Sequence, residues 1–255
     1  MDSSSEFVAF VCNICDTCNR VPRPQIGREV ASCRCGSTVR LRAIVHTLSL
    51  ALYGKSLPLM KFREDRRISG VGLSDWPGYA ELLAKKFRYR NTFFHTEPRL
   101  DITAPPHENC GTLDFLISSE VFEHIPPPVS RAFDGAFSML KPGGHLIFTV
   151  PYNGGEVATV ERYPDLRDFT LAKVGHRHCV VVLRTDDTMV LDPHPIFHGG
   201  PGQTLEMRVF GERDLMDNLR TAGFEDIRVI SEGVPSLGIY FDEQWSLPIL
   251  ARKPR

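Results

Sequence analysis

The chain has 255 residues, 42% of them hydrophobic and 24% charged, and a formal net charge of −1. That length holds one full α/β domain and a small appendage, with the composition of a folded globular protein. No apolar run reaches the ~18 residues of a membrane-spanning helix, and the start, MDSSSEFVAF, lacks the basic-then-apolar plan of a signal peptide, so the expectation is a cytoplasmic protein.

Charge and cysteine separate a head from a body. Residues 1–67 carry 11 Lys/Arg against 6 Asp/Glu, and the remainder 19 against 25. A basic head on an acidic body could take an anionic partner, RNA included, although no aromatic-basic pattern accompanies it. Five of the seven cysteines lie between Cys12 and Cys35. Cys12-Asn-Ile-Cys15 and Cys33-Arg-Cys35-Gly36 read as two thiolate knuckles that surround a tetrahedral zinc, the metal contributing much of the folding energy of so short a segment. Cys18 makes an overlapping CxxC with Cys15, so the choice of four is open; Cys12, Cys15, Cys33 and Cys35 let two knuckles face each other. After Gly36, Val39, Ala43, Ile44, Leu48 and Leu52 share one face of a predicted helix. His46 lies in that helix and reads as a packed or surface residue rather than a ligand.

The body follows from about residue 55. Leu57–Phe62 is a candidate first strand, and Ile68–Leu73, Trp76–Phe87 and Arg90–His95 read as strand, helix and strand. Leu113–Ile117 and His145–Val150 are apolar runs without clean alternation, which suits strands buried on both faces of a parallel sheet. Between them Val129, Phe133, Phe137 and Leu140 recur at helical spacing, after Pro126–Pro128 and before a Lys-Pro-Gly-Gly stop. This is a right-handed βαβ unit. Ser118, Ser119, Glu120, Glu123 and His124 fall just past its first strand, where ligands of doubly wound sheets sit.

Beyond Pro151 about fifty residues intervene before the next expected element. Val180–Arg184, TDDT and Met189–Leu191 suggest a β-hairpin, followed by the loop DPHPIFHGGPGQT. His176, His178, His194 and His198, with Cys179 and Asp192 nearby, offer metal-ligand chemistry, but nothing fixes the second pair beside the first; each reads first as an exposed loop histidine, with His198 the preferred candidate for a base. Glu212–Ala222 then makes a helix with Leu215 and Leu219 inward, stopped at Gly223, and Glu225–Ile230 and Trp245–Ala251 make a final antiparallel pair.

ISSEVFEHI followed by MLKPGGHLIFTVP resembles the fourth-strand, helix and fifth-strand segment of class I S-adenosylmethionine-dependent methyltransferases of the type 11 kind. Cys-Gly-Ser-x-x-Arg-x-Arg before a helix resembles the zinc-ribbon head that precedes some methyltransferase domains. The resemblance implies an α/β, Rossmann-like sheet of order 3-2-1-4-5-7-6, spanning residues 55–255 with a substrate cap at about 152–205, behind a zinc-binding head at 1–54. It implies S-adenosylmethionine and zinc as cofactors, with methyl transfer to an O or N acceptor.

Cofactor contacts are expected at Gly70, Gly72, Asp75, Asp101, Ser119 and Glu120. Two registers are open: Gly70 and Gly72 form a shortened glycine loop, or Ile68–Leu73 is the second strand and Asp75 accepts both ribose hydroxyls, with Glu97 the alternative acid. Spacing favours the second. Asp101 resembles the residue that accepts from the adenine amino group. His124, Glu123 and His198 are the candidate bases for a hydroxyl acceptor. A small-molecule acceptor fits the acidic body and long cap better than nucleic acid does. The alternative is an inactive methyltransferase-like binding protein that uses the zinc head as an interaction module, for which the missing glycine loop speaks.

Overall fold

A computed structural model describes residues 6–155, 158–200 and 202–255; the first five residues of the N-terminal stretch and residues 156, 157 and 201 of the cap lie outside the description. Strands β1 (Phe7–Val11) and β2 (Cys18–Pro22) form an antiparallel hairpin. Helix α1 (Val39–Tyr53) starts where the Thr38 hydroxyl accepts from the Leu41 N–H and stops at Gly54 in the left-handed conformation, the usual device at each end. Its buried Leu41, Ile44 and Leu48 share one apolar cluster with Phe10 and Ile14 of the hairpin and with Phe115, Ile117 and Ile147 of the central sheet. The head therefore shares its core with the body.

The sheet opens with β3 (Ser69–Leu73), α2 (Pro77–Lys86), β4 (Arg88–Thr92), β5 (Leu113–Ser119), α3 (Ser130–Met139) and β6 (Leu140–Thr149). The inserted region holds β7 (Tyr152–Asn153), β8 (Val160–Glu161), β9 (Leu166–Val174), β10 (Arg177–Arg184), β11 (Met189–Asp192), β12 (Phe197–His198), β13 (Thr204–Leu205) and β14 (Arg208–Gly211). Helix α4 (Glu212–Thr221) and strands β15 (Glu225–Val229) and β16 (Ile249–Arg252) close the chain. The six-stranded sheet runs β15-β16-β6-β5-β3-β4. Its pairs from β4 to β6 are parallel, and β16 and β15 add on antiparallel. Phe133, Ala136 and Met139 of α3 and Leu215 and Leu219 of α4 pack with Leu116, Leu146 and Phe148 on one face; α1 and α2 cover the other.

Three expectations need correction. Leu57–Phe62 is not a strand: Leu59–Lys61 makes one 3-10 turn after Pro58, and only Leu59 and Phe62 are buried, a spacing of three where a strand needs two. The preferred register also fails, because β3 lies between β5 and β4 and so takes the central place, while β4 takes the next. The expected seven-strand order is not reached among the described residues: β4, which overlaps the expected Arg90–His95 strand, ends the six-stranded sheet, and the stretch after it makes one isolated bridge, Phe93 to Arg99. Lys141–Gly144 follows the helix as a bulge in β6, with Leu113 opposite Leu140 but Phe115 opposite His145.

Gly70 and Gly72 consequently lie inside β3 and form no loop. A Cβ on Gly70 would sit 2.2 Å from the Phe115 ring, and one on Gly72 would sit 2.0 Å from both the Asp75 carboxylate and the Tyr89 hydroxyl. They are glycine to admit these side chains. Asp75 is 4% exposed, and its carboxylate accepts from the Tyr79 hydroxyl at 2.6 Å and from the Tyr89 hydroxyl. Both oxygens are engaged inside the protein, so Asp75 is a buried structural acid and does not present itself to a ribose.

Burial raises the Asp75 carboxyl to about 7, against the two tyrosine hydroxyls and the charge of Arg40, which lower it. Between the ordinary value of 3.8 and about 7 the folded state keeps a proton that the unfolded state has lost. Stability from this group is thus present at low pH and lost as pH rises through that window. Asp75→Asn abolishes the titration. In urea denaturation across pH 4–8, the stability of wild type minus that of the variant should fall with pH by up to about 1.4 kcal/mol per unit up to neutrality, then level off. A flat difference would mean an ordinary carboxylate.

Candidate active site

At the carboxyl end of β5 the backbone turns sharply: Glu120 has a φ of +56°, and a single 3-10 turn, Phe122–His124, follows. Arg208 of β14, wholly buried, holds that turn by donating to the Phe122 carbonyl at 2.7 Å and to Glu161 at 2.7 Å. The Met207 N–H donates to the Glu123 carbonyl at 2.8 Å. These contacts bring the inserted region against the end of β5, and three expected residues meet there. His124 Nε2 lies 3.5 Å and His198 Nδ1 3.8 Å from Glu123 Oε1. The two imidazoles cross at 86° with centroids 4.7 Å apart.

Each ring is held from behind. His124 Nδ1 donates to the Leu205 carbonyl at 2.8 Å, and His198 Nε2 contacts Glu206 at 2.9 Å. Glu206 in turn accepts from Arg162. Burial raises the Glu206 carboxyl, but hydrogen bonds from His198 and Arg162 outweigh it and hold it below its usual range. Glu123 is 0% exposed and neither carboxylate oxygen has a hydrogen-bond partner. Burial, reinforced by the charge of Glu120, pushes its carboxyl well above the ordinary value, and burial lowers the His124 imidazole. His176, His178 and His194 do not join this cluster or form another potential ligand group among the described residues.

The head reaches the same strand end. Arg40 Nη1 donates to the Ser119 hydroxyl at 2.8 Å while its other nitrogens bind Glu29. Arg28 Nη2 lies 2.9 Å from Glu120, which also accepts from the Ser246 hydroxyl at 2.8 Å, and Arg28 stacks over the Trp245 ring. Ser119 and Glu120 thus link the end of β5 to the head, and the Ser119 hydroxyl also lies 2.9 Å from that of Thr149. A narrow cavity of about 80 Å³ opens between Arg28, Arg40, Tyr240, Trp245 and Ser246. Further along the sheet edge, the turn after β4 carries exposed Glu97, and Asp101 Oδ1 accepts from the Thr103 N–H at 2.9 Å. The Ser118 hydroxyl at the end of β5 is buried without a partner.

The sulfurs of Cys12, Cys15, Cys33 and Cys35 all lie within 4.8 Å of one another, none in a disulfide. Cys12 and Cys35 are 3.8 Å apart and Cys15 and Cys33 3.6 Å. Zinc–sulfur bonds of about 2.3 Å at the tetrahedral angle put sulfurs about 3.8 Å apart, so the donor set fits that ion. Cys18 is exposed on β2, outside the cluster.

A family profile described as a methyltransferase domain matches residues 59–187, half of the chain. The chain belongs to this methyltransferase family. The ubiquinone biosynthesis O-methyltransferase of Marinobacter nauticus is 30% identical over 119 residues, which cover 46% of this chain and 38% of that protein. The chain thus aligns with well under half of that relative's length. Two solved methyltransferases are distantly similar. A Burkholderia thailandensis 1,6-didemethyltoxoflavin-N1-methyltransferase, with S-adenosylhomocysteine bound, is 13% identical, covers 84% of this chain and 79% of its own, and has a TM-score of 0.45. An S-adenosylmethionine-dependent methyltransferase from Clostridium acetobutylicum is 15% identical, covers 74% and 85%, and has a TM-score of 0.43.

Sequence reading of this methyltransferase domain missed Glu206, Arg162 and the two head arginines. Arg40 lies in the Cys-Gly-Ser-x-x-Arg motif and could have been singled out. Glu206 and Arg162 carry no local signal, because their partners lie on other segments.

Proposed function

We propose that the protein transfers a methyl group from S-adenosylmethionine to an oxygen or nitrogen of a small-molecule acceptor. The observation that carries this reading is the convergence of Glu123, His124 and His198 at the carboxyl end of β5 in a chain of methyltransferase sequence. The cofactor, when bound, supplies an electrophilic sulfonium methyl. Glu97 after β4 would accept from ribose hydroxyls in place of the buried Asp75, Asp101 would accept from the adenine amino group, and the unpartnered Ser118 hydroxyl would offer a further polar contact. His124 and His198 would face the acceptor and help to orient it, and the cap, through β12–β14, would limit the access of water.

A small acceptor is favoured over RNA because three of the head's arginines are spent inward. Arg42 is fully buried and donates to Ser32, to Ser37 and to the Gly238 carbonyl; Arg28 and Arg40 face Glu120, Glu29 and Ser119. We also infer zinc at Cys12, Cys15, Cys33 and Cys35, a closed four-thiolate site with a structural role.

Calorimetric titration with S-adenosylhomocysteine tests the reading. Wild type should bind in the micromolar range, and Glu97→Ala and Asp101→Ala should each weaken binding by about 10- to 100-fold, the loss of one or two charged hydrogen bonds. Asp75→Asn should bind within a few-fold of wild type. Folded protein that binds neither S-adenosylhomocysteine nor S-adenosylmethionine would overturn the enzyme reading.

A further inference from the structure

We propose that Glu123, His124 and His198 form a second metal site, distinct from the cysteine cluster, for a divalent first-row transition ion. One Glu123 oxygen and one nitrogen from each histidine lie within 4.8 Å of one another. The separations of 3.5 and 3.8 Å from Glu123 Oε1 are too long for hydrogen bonds. They are close to the spacing of about 3.4 Å that bonds of 2.0–2.2 Å at a tetrahedral angle require.

Two further observations point to a cation. Glu123 is wholly buried with both oxygens unpartnered, a state that costs several kcal/mol unless a positive charge or a proton answers it. The rings are also pre-set as ligands. His124 uses Nδ1 on the Leu205 carbonyl and His198 uses Nε2 on Glu206. The nitrogens left over, whose tautomers follow from those partners, are the two that face Glu123. This is the outer-shell arrangement of metal-binding histidines, with Arg162 fixing Glu206 behind one of them. Two imidazoles and a carboxylate select Mn, Fe, Co or Zn over Mg or Ca, and three protein ligands leave positions open.

Resting on the methyl-transfer reading, the open positions narrow the acceptor to one that carries a hydroxyl. An ion held by Glu123, His124 and His198 would acidify an acceptor hydroxyl beside it, whose proton would pass to solvent. The acceptor oxygen would gain the carbon–oxygen bond as the carbon–sulfur bond of the sulfonium breaks, with the electron pair left on sulfur.

The test is calorimetric titration of zinc-loaded full-length protein with MnCl₂ and with CoCl₂, and metal analysis after dialysis against ZnCl₂. Wild type should bind one ion beyond that at the cysteines. His124→Ala and His198→Ala should each weaken that ion at least 100-fold, and Glu206→Gln, which leaves the three ligands in place, about 10-fold. Glu123→Gln should lose the ion without lowering the thermal midpoint measured with zinc at the cysteines and no second ion added, since the buried charge goes with the ligand. No ion beyond the cysteine site, or equal binding by wild type and all four variants, would overturn the proposal. S-adenosylhomocysteine titrated into the same samples separates the two readings: binding without the second ion sinks only the metal site, and the ion without S-adenosylhomocysteine binding sinks only methyl transfer.

Discussion

Replacing Cys33 with alanine is expected to lower the thermal midpoint by roughly 8–16 °C. Structural zinc contributes about 10–16 kcal/mol of apparent folding free energy in isolated fingers. Losing one of four thiolates removes about a quarter to a third of that, about 4 kcal/mol, and each kcal/mol corresponds to about 2–4 °C for a domain of this size. The effect should reach beyond the head. Cys12 and Cys33 are buried in the cluster that also contains Phe115, Ile117 and Ile147, so a loosened knuckle uncovers one face of the central sheet. It also releases Arg28 and Arg40 from Glu120 and Ser119. Cys18→Ala is the control: Cys18 is exposed and outside the cluster, and its loss should change stability by no more than about 0.5 kcal/mol. Differential scanning calorimetry of zinc-loaded proteins reads both. A Cys33→Ala variant that melts with wild type, or a Cys18→Ala variant that falls with it, would remove zinc from this set of four cysteines.

What the sequence disclosed and what it withheld divide along one physical line. The unit from β5 through α3 to β6 was legible because its signals are local: two unbroken apolar strands, an apolar stripe at helical spacing and prolines just before the helix. Glu123 and His124 were legible for the same reason, as polar residues just past a buried strand. The place of β3 was not. Ser-Gly-Val-Gly-Leu reads as a strand in either register, and only its pairing with both β4 and β5 shows that it is central. The glycines misled because they answer to Phe115 and Tyr89, which are distant in sequence. His198 was picked from its loop, but its partner Glu206 and the orienting Arg162 became visible only once β12–β14 were laid against the turn after β5. Arg28 and Arg40 were only part of the head's net positive charge until the head was folded onto the sheet edge.

Gly135→Ala should destabilise the protein by about 3 kcal/mol, against the ordinary expectation for a helix. In an exposed helix interior, alanine is better than glycine by about 1 kcal/mol. Gly135 is buried in α3 beside Ala132, Phe133 and Ala136, and a Cβ there would stand 1.8 Å from the carbonyl oxygen of Ile102. The obstacle is backbone, so no rotamer relieves it; either α3 lifts from the sheet or the loop at Ile102 moves. Overpacking of this kind costs about 1–3 kcal/mol and at times more, and a contact this short belongs at the upper end. The loop has little room to give, because Asp101 closes a turn onto the Thr103 N–H and hydroxyl at 2.9 and 2.7 Å, and Pro105 lies 3.3 Å from the same Cβ position. Moving it displaces Asp101, so S-adenosylhomocysteine binding should weaken at least 10-fold in protein that is still folded. Asp134→Ala, one residue earlier and exposed, should leave stability within about 0.5 kcal/mol and binding unchanged. Urea denaturation and calorimetry on the two variants separate the outcomes. A Gly135→Ala protein as stable as wild type would mean that α3 and the Asp101 loop are further apart than the fold places them. A destabilised protein with full affinity would mean that the loop stays in place while the helix yields, and that Asp101 does not depend on α3 for its position.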